Sequence, residues 1–377
     1  MGRSGRGRSA RVVYGGMNSS STQERTWPPP ALLLLVVLAA VFVAVTFIDD
    51  GKGWGFWLEQ LRNGLTTGSL YALIALGYTM VYGVLRMINF AHGEVFMIGS
   101  FAGWVTLTQV FGGNDMANVM IAPAIIVAML AAAVASASAV VVIERLAYRP
   151  LRQAPRLAPL ISAIGVSVFL QHLFLRLTGG LSKQYPRIFP QGPNENIDIG
   201  ITEIAYIEMF LIGSSIAMML ALYLFVQRTR LGTSMRAVAE DREVSALMGI
   251  NVDRVILMTF VIGAALAGIA GVMYGLWVYF IRGTMGFLPG IKAFTAAVLG
   301  GIGNIPGAMA GGFLIGLAES VGREQLNSVF NPVLHWLGMG GLGLGNEWKD
   351  VVAFFVLIGV LLIRPSGIFG EVVGKRA

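Results

Sequence analysis

The 377-residue sequence contains no cysteine, which excludes disulfide bonds, thiolate zinc sites and cysteine nucleophiles. Charged residues are also scarce: they make up 12% of the chain, whereas soluble domains carry roughly 25%. Hydrophobic residues make up 55%. One water-soluble globule cannot enclose so many, because its surface must be covered with polar groups. A lipid bilayer removes that requirement, so the composition predicts an integral membrane protein.

Several enzyme motifs are missing as well. The sequence has no GxxxxGK[ST] P-loop, no GxSxG and no HExxH. His92 and Glu94 stand two positions apart, but His172 and His335 belong to other segments, so we expect no metal site and no cofactor bound by this chain. A membrane enzyme is therefore the least favoured class. The net charge of +7 comes from clusters between apolar runs, which favours membrane orientation over nucleic-acid binding.

The apolar runs predict an all-α polytopic membrane protein with about ten transmembrane segments, because about 20 apolar residues span a roughly 30 Å core as a helix. Arg86–Gly93 and Phe287–Pro306 hold glycine, proline and polar groups, and we expect broken or re-entrant helices there. The predicted spans are Ala31–Ile48, Asn63–Leu85, Gly93–Phe111, Val119–Glu144, Leu157–Leu177, Ile204–Val226, Val255–Ile281, Phe287–Gly303, Pro306–Val321 and Val351–Ile363.

The chain ends are predicted to be polar tails, at residues 1–30 and 371–377, and we expect the first to be disordered. Residues 31–57 are expected to form an additional transmembrane segment and an external turn. A cleaved signal peptide is the rival interpretation of Ala31–Ile48, and Met17 is an alternative start.

The lysines and arginines predict the orientation in the membrane. With the N-terminus in the cytoplasm, 18 of the 27 lie on the cytoplasmic side, as the positive-inside rule requires. Both termini are then cytoplasmic. Residues 179–203 and 322–350 become external loops, and residues 227–254 become the longest cytoplasmic connection.

That connection is expected to contain a helix of about four turns. Thr233 or Ser234 can cap its start, residues 235–248 are free of proline and glycine, and Gly249 stands where a glycine ends a helix. Because both ends join membrane spans, force on this helix would pass directly to the bundle. A solvated connector is the alternative.

Three polar residues, Asn89, His92 and Glu94, interrupt an apolar stretch. An ionisable group at bilayer depth is costly and usually faces a cavity or a partner. We consider these residues a candidate lining of a translocation path. Equally, His92 and Glu94 could satisfy backbone groups freed at a broken helix.

Other polar residues in the spans raise the same question. Lys292 is expected to extend to an interface, and contact with a substrate carboxylate is the alternative. Glu319 is the corresponding acidic residue in the next predicted span. Gln171 and His172 are expected to form hydrogen bonds between helices.

Small residues recur at four-residue intervals and predict closely packed helices. A moving interface is compatible with these stripes, but packing is the expected role. The stripes are Gly263, Ala267, Gly271 and Gly275; Gly303, Gly307 and Gly311; and Gly312 with Gly316.

Several blocks resemble one family, the permeases of branched-chain amino-acid ABC importers, and most closely its LivH-type subunits. The cytoplasmic stretch with Ala239, Glu240, Asp241, Ala246 and Gly249 resembles the loop through which such permeases couple to an ATPase. The resemblance covers about residues 58–370, which we expect to form the permease domain. The other matching blocks are Asn63–Gly83, Met87–Gly99, Ile143–Arg152, Leu160–Gly165, Phe260–Gly268, Lys292–Gly303 and Pro306–Met309.

The resemblance implies a multi-pass permease of the cell inner (plasma) membrane that carries leucine, isoleucine and valine. It implies four partners: a second homologous permease, two ATP-binding subunits that hold ATP and Mg, and an external or periplasmic solute-binding protein. Glu240 and Asp241 would contact the ATPase, and Gly249 would shape the turn. A permease for urea or short amides is the alternative within the class, and an ion-coupled secondary transporter is the alternative outside it.

Overall fold

The computed structural model describes residues 53–85, 87–115, 118–151, 154–155, 157–189, 196–198, 203–336, 348–364 and 366–370. The predicted tails and the predicted span Ala31–Ile48 lie outside these residues.

The described part is almost entirely helical, as the composition predicts. Short π or 3₁₀ turns follow two of the helices, at Thr106–Val110 and Glu144–Leu151. The eleven α-helices of the described residues are α1 Gly53–Leu85, α2 His92–Val105, α3 Ile121–Ile143, α4 Leu157–Thr178, α5 Tyr206–Arg228, α6 Arg230–Glu240, α7 Arg242–Leu247, α8 Val252–Val278, α9 Phe287–Gly300, α10 Ile305–Trp336 and α11 Trp348–Ile363.

Four short strands lie beside the bundle. Strand β1, Lys183–Gln184, pairs antiparallel with β4, Phe280–Ile281, and so ties a predicted external loop to the end of α8. Strands β2, Asn196–Asp198, and β3, Glu203–Ala205, pair antiparallel just before α5.

Six helices, α1, α3, α4, α5, α8 and α10, are long and apolar enough to cross a membrane, and α9 and α11 are shorter apolar helices. The multi-pass helical class is therefore confirmed. The count of about ten spans stays a prediction. Part of the difference arises because α2 has only 14 residues before the π turn, and α9 also has 14.

Helix α1 is longer than predicted, beginning at Gly53 rather than near Asn63. Sequence reasoning stopped at the polar residues that precede Asn63. In the fold these residues have partners: Arg62 pairs with Glu208 at 3.2 Å, and Gln60 accepts a hydrogen bond from Ser320 at 2.9 Å. Because the polar groups are satisfied, the helix continues.

Both predicted interruptions are present. Helix α1 ends at Leu85 and α2 begins at His92, after a turn in which the Asn89 side chain accepts a hydrogen bond from the Ala91 amide at 3.1 Å. Helices α9 and α10 are separated by a turn containing two glycines with positive φ, Gly301 at 98° and Gly303 at 95°. Such backbone favours glycine.

The C-terminal segment closes the end of α9. The amides of Ile368 and Phe369 donate to the carbonyls of Leu299 and Gly300, at 2.8 and 3.1 Å. These carbonyls end a helix and would otherwise have no intrahelical partner. Fourteen residues rise only about 21 Å, so this strap satisfies backbone that would otherwise be exposed at membrane depth.

Glycines allow the helix backbones to touch. Helix α1 packs most extensively on α10, and a Cβ added at Gly312 would lie 2.5 Å from the backbone of Ala72. In α8, a Cβ at Gly271 would overlap α2, and one at Gly275 would overlap the Tyr185 ring. The predicted packing role is confirmed there. It is wrong for Gly303, which lies in the turn before α10, where a Cβ added to it would meet nothing within 4 Å.

Helices α3, α4 and α5 differ from the central helices because most of their apolar surface is exposed. Large side chains such as Leu130, Phe169 and Leu220 are more than half exposed. By contrast, most of α1 is enclosed by other helices. The fold therefore has a densely packed centre and an apolar outer face.

Candidate translocation and coupling sites

The predicted coupling segment folds as two short helices, not one. Thr229 caps α6 by accepting a hydrogen bond from the Gly232 amide at 3.0 Å. Asp241 adopts an extended conformation that ends α6, and its carboxylate caps α7 through the Glu243 and Val244 amides at 2.8 and 3.0 Å. The prediction of one continuous helix capped at Thr233 or Ser234 is wrong, since Asp241 is a strong N-cap residue.

Gly249 ends the segment as predicted. Its φ is 83°, its amide donates to the Ala246 carbonyl at 3.0 Å, and the Ile250 amide returns to the Ser245 carbonyl at 3.1 Å. This geometry matches a helix C-terminus closed by a left-handed residue. Asn251 then caps α8 through the Arg254 amide at 3.0 Å.

The α6–α7 pair presents a mixed surface away from the bundle. Leu247 and Met248 are 86% and 78% exposed. Glu240, Asp241, Ala246 and Gly249 are exposed beside them, and Ala239 is half-buried. The predicted coupling residues therefore lie on one accessible segment, which ends with the exposed apolar side chains of Leu247 and Met248.

The α6–α7 pair is also anchored to the bundle. Met235 and Val238 are buried, and Arg242 donates to the terminal carbonyls of α1, at Val84 (3.2 Å) and Leu85 (2.7 Å). Displacement of α7 therefore acts directly on the end of α1.

For the ATP-driven permease that the sequence resemblance implies, we expect Arg242→Ala to lower substrate uptake about 5- to 30-fold while the protein stays folded, because it removes two hydrogen bonds worth roughly 1 kcal/mol each. Uptake per ATP hydrolysed in proteoliposomes measures the effect. Arg228→Ala, at an exposed arginine of α5, is the matched control. Equal uptake in the two variants would contradict the role of the α1 anchor.

The predicted path residues in the turn before α2 and in its first turn are all buried, each with its own partners. Asn89 accepts a hydrogen bond from the Tyr148 hydroxyl at 2.6 Å, and the His92 ring packs edge-on against Tyr78 with the ring centroids 4.6 Å apart. Asn89, His92 and Glu94 are each at most 2% exposed. Asn89, rather than Glu94, therefore satisfies a backbone amide at the helix break, because the Asn89 side chain accepts a hydrogen bond from the Ala91 amide.

Glu94 links α2 to α4. One carboxylate oxygen accepts hydrogen bonds from Gln171 at 2.8 Å and Ser167 at 3.2 Å. The other oxygen, like Nε2 of His92, is buried without a hydrogen bond from the described residues. The prediction that Gln171 bonds between helices is confirmed.

Lys292 lies elsewhere, in a cavity of about 410 Å³ that the other three path candidates do not line. Helices α1, α8, α9, α10 and α11 and the α8–α9 connection form its walls. The lining residues are Gln60, Asn63, Thr67, Leu70, Tyr71, Tyr274, Trp277, Phe280, Arg282, Thr284, Met285, Leu288, Pro289, Lys292, Gly316, Glu319, Ser320, Arg323 and Asp350.

A charged triad forms part of this cavity wall. The Lys292 ammonium lies 2.9 Å from Glu319 and 2.5 Å from Asp350, and only 6% of the Lys292 side chain is exposed. It also donates to the Tyr71 hydroxyl at 3.2 Å, which in turn donates to Glu319 at 3.0 Å. The expectation that Lys292 extends to an interface is wrong, because two carboxylates compensate its charge inside the bundle.

Sequence reasoning noted Lys292 and Glu319 separately but missed their pairing, as well as Asp350, Tyr71 and Arg282. Opposite charges in neighbouring predicted spans were the available signal, since buried charges are paired. No such sequence signal pointed to Asp350, because it lies just before an apolar run rather than inside one. Among the described residues, no group of three acidic or histidine side chains could hold a metal ion.

The cavity and the α6–α7 pair lie at opposite ends of the same helices. Tyr71 of α1 lines the cavity, and Leu85 at the other end of α1 bonds Arg242, about 20 Å further along the helix axis. Helix α8 likewise begins just after Gly249 and carries Trp277 into the cavity. Such an arrangement defines a multi-pass helical membrane protein with a cavity near one end of its helices and an accessible helical pair at the other end.

Comparison with known proteins gives the family. The family model described as "Branched-chain amino acid transport system / permease component" matches residues 60–361. The chain is 47% identical over 318 residues to the high-affinity branched-chain amino acid transport system permease protein BraD of Pseudomonas aeruginosa, covering 84% of this chain and 96% of BraD. It is 45% identical over 324 residues to the corresponding LivH protein of Escherichia coli K12, with the same coverage. No solved structure gives a significant match. The chain belongs to the family of branched-chain amino-acid transport permeases.

Proposed function

We propose that the chain is the membrane-embedded permease subunit of an ATP-driven importer of leucine, isoleucine and valine in the inner membrane. Its partners would be a second, homologous permease, two ATP-binding subunits that hold ATP and Mg, and an external solute-binding protein. The family and the names of its relatives support this assignment. Both termini and the α6–α7 pair would face the cytoplasm, as the distribution of positive charge favours.

One observation carries the mechanism: α1 and α8 each run from the α6–α7 pair to the cavity. An ATPase docked on Leu247, Met248 and the adjacent acidic residues would push this pair when it closes on ATP. Arg242 and the Gly249 turn would transmit the displacement to α1 and α8. In the cavity, Tyr71 of α1 is hydrogen-bonded to Lys292, and Trp277 of α8 forms part of the wall. Access to the cavity would then switch from one face of the membrane to the other.

The packing suits such motion. Where helix backbones touch at a glycine, as at Gly271 against α2, no interdigitated side chains prevent one helix from sliding along the other. The exposed apolar face of α3, α4 and α5 would be covered by lipid and by the second permease.

The test is uptake of labelled leucine, isoleucine and valine by proteoliposomes holding the whole transporter and ATP inside, with the external binding protein added. We expect ATP-dependent uptake that disappears when this chain is omitted. Uptake of urea or short amides in place of leucine would overturn the substrate. Full uptake driven by an ion gradient without ATP would overturn the class.

A further inference from the structure

We propose that the cavity recognises the charged head group of a free α-amino acid, with Glu319 and Asp350 binding its ammonium group and Arg282 its carboxylate. This inference rests on the proposed transport function and extends it, because it assigns substrate selection to the permease as well as to an external binding protein.

The charge balance of the triad points to an ammonium ligand. Lys292 is the one cation within reach of two carboxylates, Glu319 and Asp350, among the described residues. When all three groups are ionised, one negative charge stays in surplus in a largely buried place. Buried charges need partners, and a ligand ammonium supplies the missing positive charge.

The hydrogen bonds leave room for that ligand. Tyr71 and Lys292 fix the orientation of Glu319. The Glu319 and Asp350 oxygens nearest to Lys292 contact its ammonium at 2.9 and 2.5 Å, whereas the Asp350 side chain stays 27% exposed and lines the cavity. An ionised carboxylate has about four acceptor positions. The triad therefore holds its acids in place without saturating them, and a ligand ammonium brings three donors.

Arg282 supplies the complementary charge. It is an exposed residue of the cavity lining and forms no ion pair with any residue that the structure describes. Arg323, the other arginine of the lining, is already engaged by Glu324 at 2.7 Å. A planar guanidinium without a fixed partner matches the geometry of a carboxylate.

The rest of the wall suits an apolar side chain. Leu70, Trp277, Phe280 and Leu288 line the same cavity. Its volume of about 410 Å³ is within the roughly 300–1,000 Å³ of small-molecule sites, which combine apolar walls with a few placed polar groups. A zwitterion with a branched aliphatic side chain fits each part of this lining.

The experiment measures binding of labelled leucine to the assembled transporter in nanodiscs without the external binding protein. The competitors are 3-methylbutylamine, which is leucine without its carboxylate, and 4-methylpentanoate, which is leucine without its ammonium. We expect leucine to compete best. Asp350→Asn should weaken binding of leucine and of the amine about 10- to 100-fold, as expected for loss of a charged hydrogen-bond partner, without affecting the acid. Arg282→Gln should weaken leucine and the acid only.

Glu59→Gln is the matched control, because Glu59 is an exposed acid of α1 next to the cavity-lining Gln60. If Glu319→Gln does not fold, Asp350→Asn still tests the site, because the Asp350 side chain lies at a helix start and is 27% exposed. Wild-type affinity in Asp350→Asn, or equal competition by leucine and 4-methylpentanoate, would overturn the site. If the wild-type transporter imports leucine and Asp350→Asn imports it equally well, only this inference fails. If the wild type imports no branched-chain amino acid, the proposed function itself fails.

Discussion

Gly312→Leu is expected to leave almost no folded protein in the membrane. A Cβ at Gly312 would lie 2.5 Å from Cα of Ala72, and a Cβ at Gly68, across the same crossing, would lie 2.8 Å from Cα of Phe313. Both obstacles are backbone, which cannot rotate away as a flexible side chain can. Overpacking of this kind costs about 3 kcal/mol or more. Since α1 and α10 form the largest contact of the bundle, the loss affects the whole fold.

The measurement is the yield of monodisperse protein by fluorescence-detected size exclusion, with the thermal midpoint of whatever survives. Gly165→Leu is the matched control, because Gly165 lies in the spanning helix α4 with nothing within 4 Å of its would-be Cβ. Normal yield of Gly312→Leu would show that α1 and α10 can separate without loss of structure, contrary to the packing described above.

Gly249→Val is expected to reduce leucine uptake at least about tenfold while the chain inserts normally and the partner ATP-binding subunits still hydrolyse ATP. The site has no obstacle within 4 Å, but its φ of 83° is unfavourable for any residue with a Cβ, by about 1–2 kcal/mol and more for a β-branched side chain. The valine variant would change the path of the chain between α7 and α8, and with it the link to the cavity.

Gly249→Asn makes this prediction specific. Asparagine tolerates the left-handed region far better than valine, so we expect it to retain most of the uptake. The comparison uses ATP hydrolysis and uptake measured on the same proteoliposomes. Normal coupling in Gly249→Val, or equal loss in both variants, would rule out backbone geometry as the reason for a glycine at this position.

The helical class and the interruptions of the bundle were predictable because they follow from local composition. A run of apolar residues has to be helical in lipid, and the closely spaced glycines 300, 301 and 303, followed by Pro306, are typical of a turn. Two local errors had local causes as well. The sequence predicts the start of α1 too late, because polar residues usually end a membrane span. It does not predict the break at Asp241, because good helix formers lie on both sides of this residue.

The cavity was only partly predictable, because its charges come from distant parts of the chain. The sequence identifies Lys292, in the cavity, and Glu94, outside it, as ionisable groups in apolar runs, and both side chains are buried. Their partners, Asp350 and Gln171, belong to other helices, and no periodicity specifies which helices become neighbours. The sequence could therefore indicate that a buried charge needs a partner, but not that Lys292 would have two acidic ones.

The strap from Ile368 and Phe369 to the end of α9 has a consequence for biosynthesis. Its donors lie far downstream of Gly300, the last residue of α9, so α9 leaves the translocon before the groups that close its final turn have been synthesised. The N-terminal helices can associate while translation continues, but the end of α9 can close only after residues 368 and 369 have been synthesised. Fusions and affinity tags at the C-terminus should therefore follow residue 370, since an earlier junction would interrupt the last step of assembly.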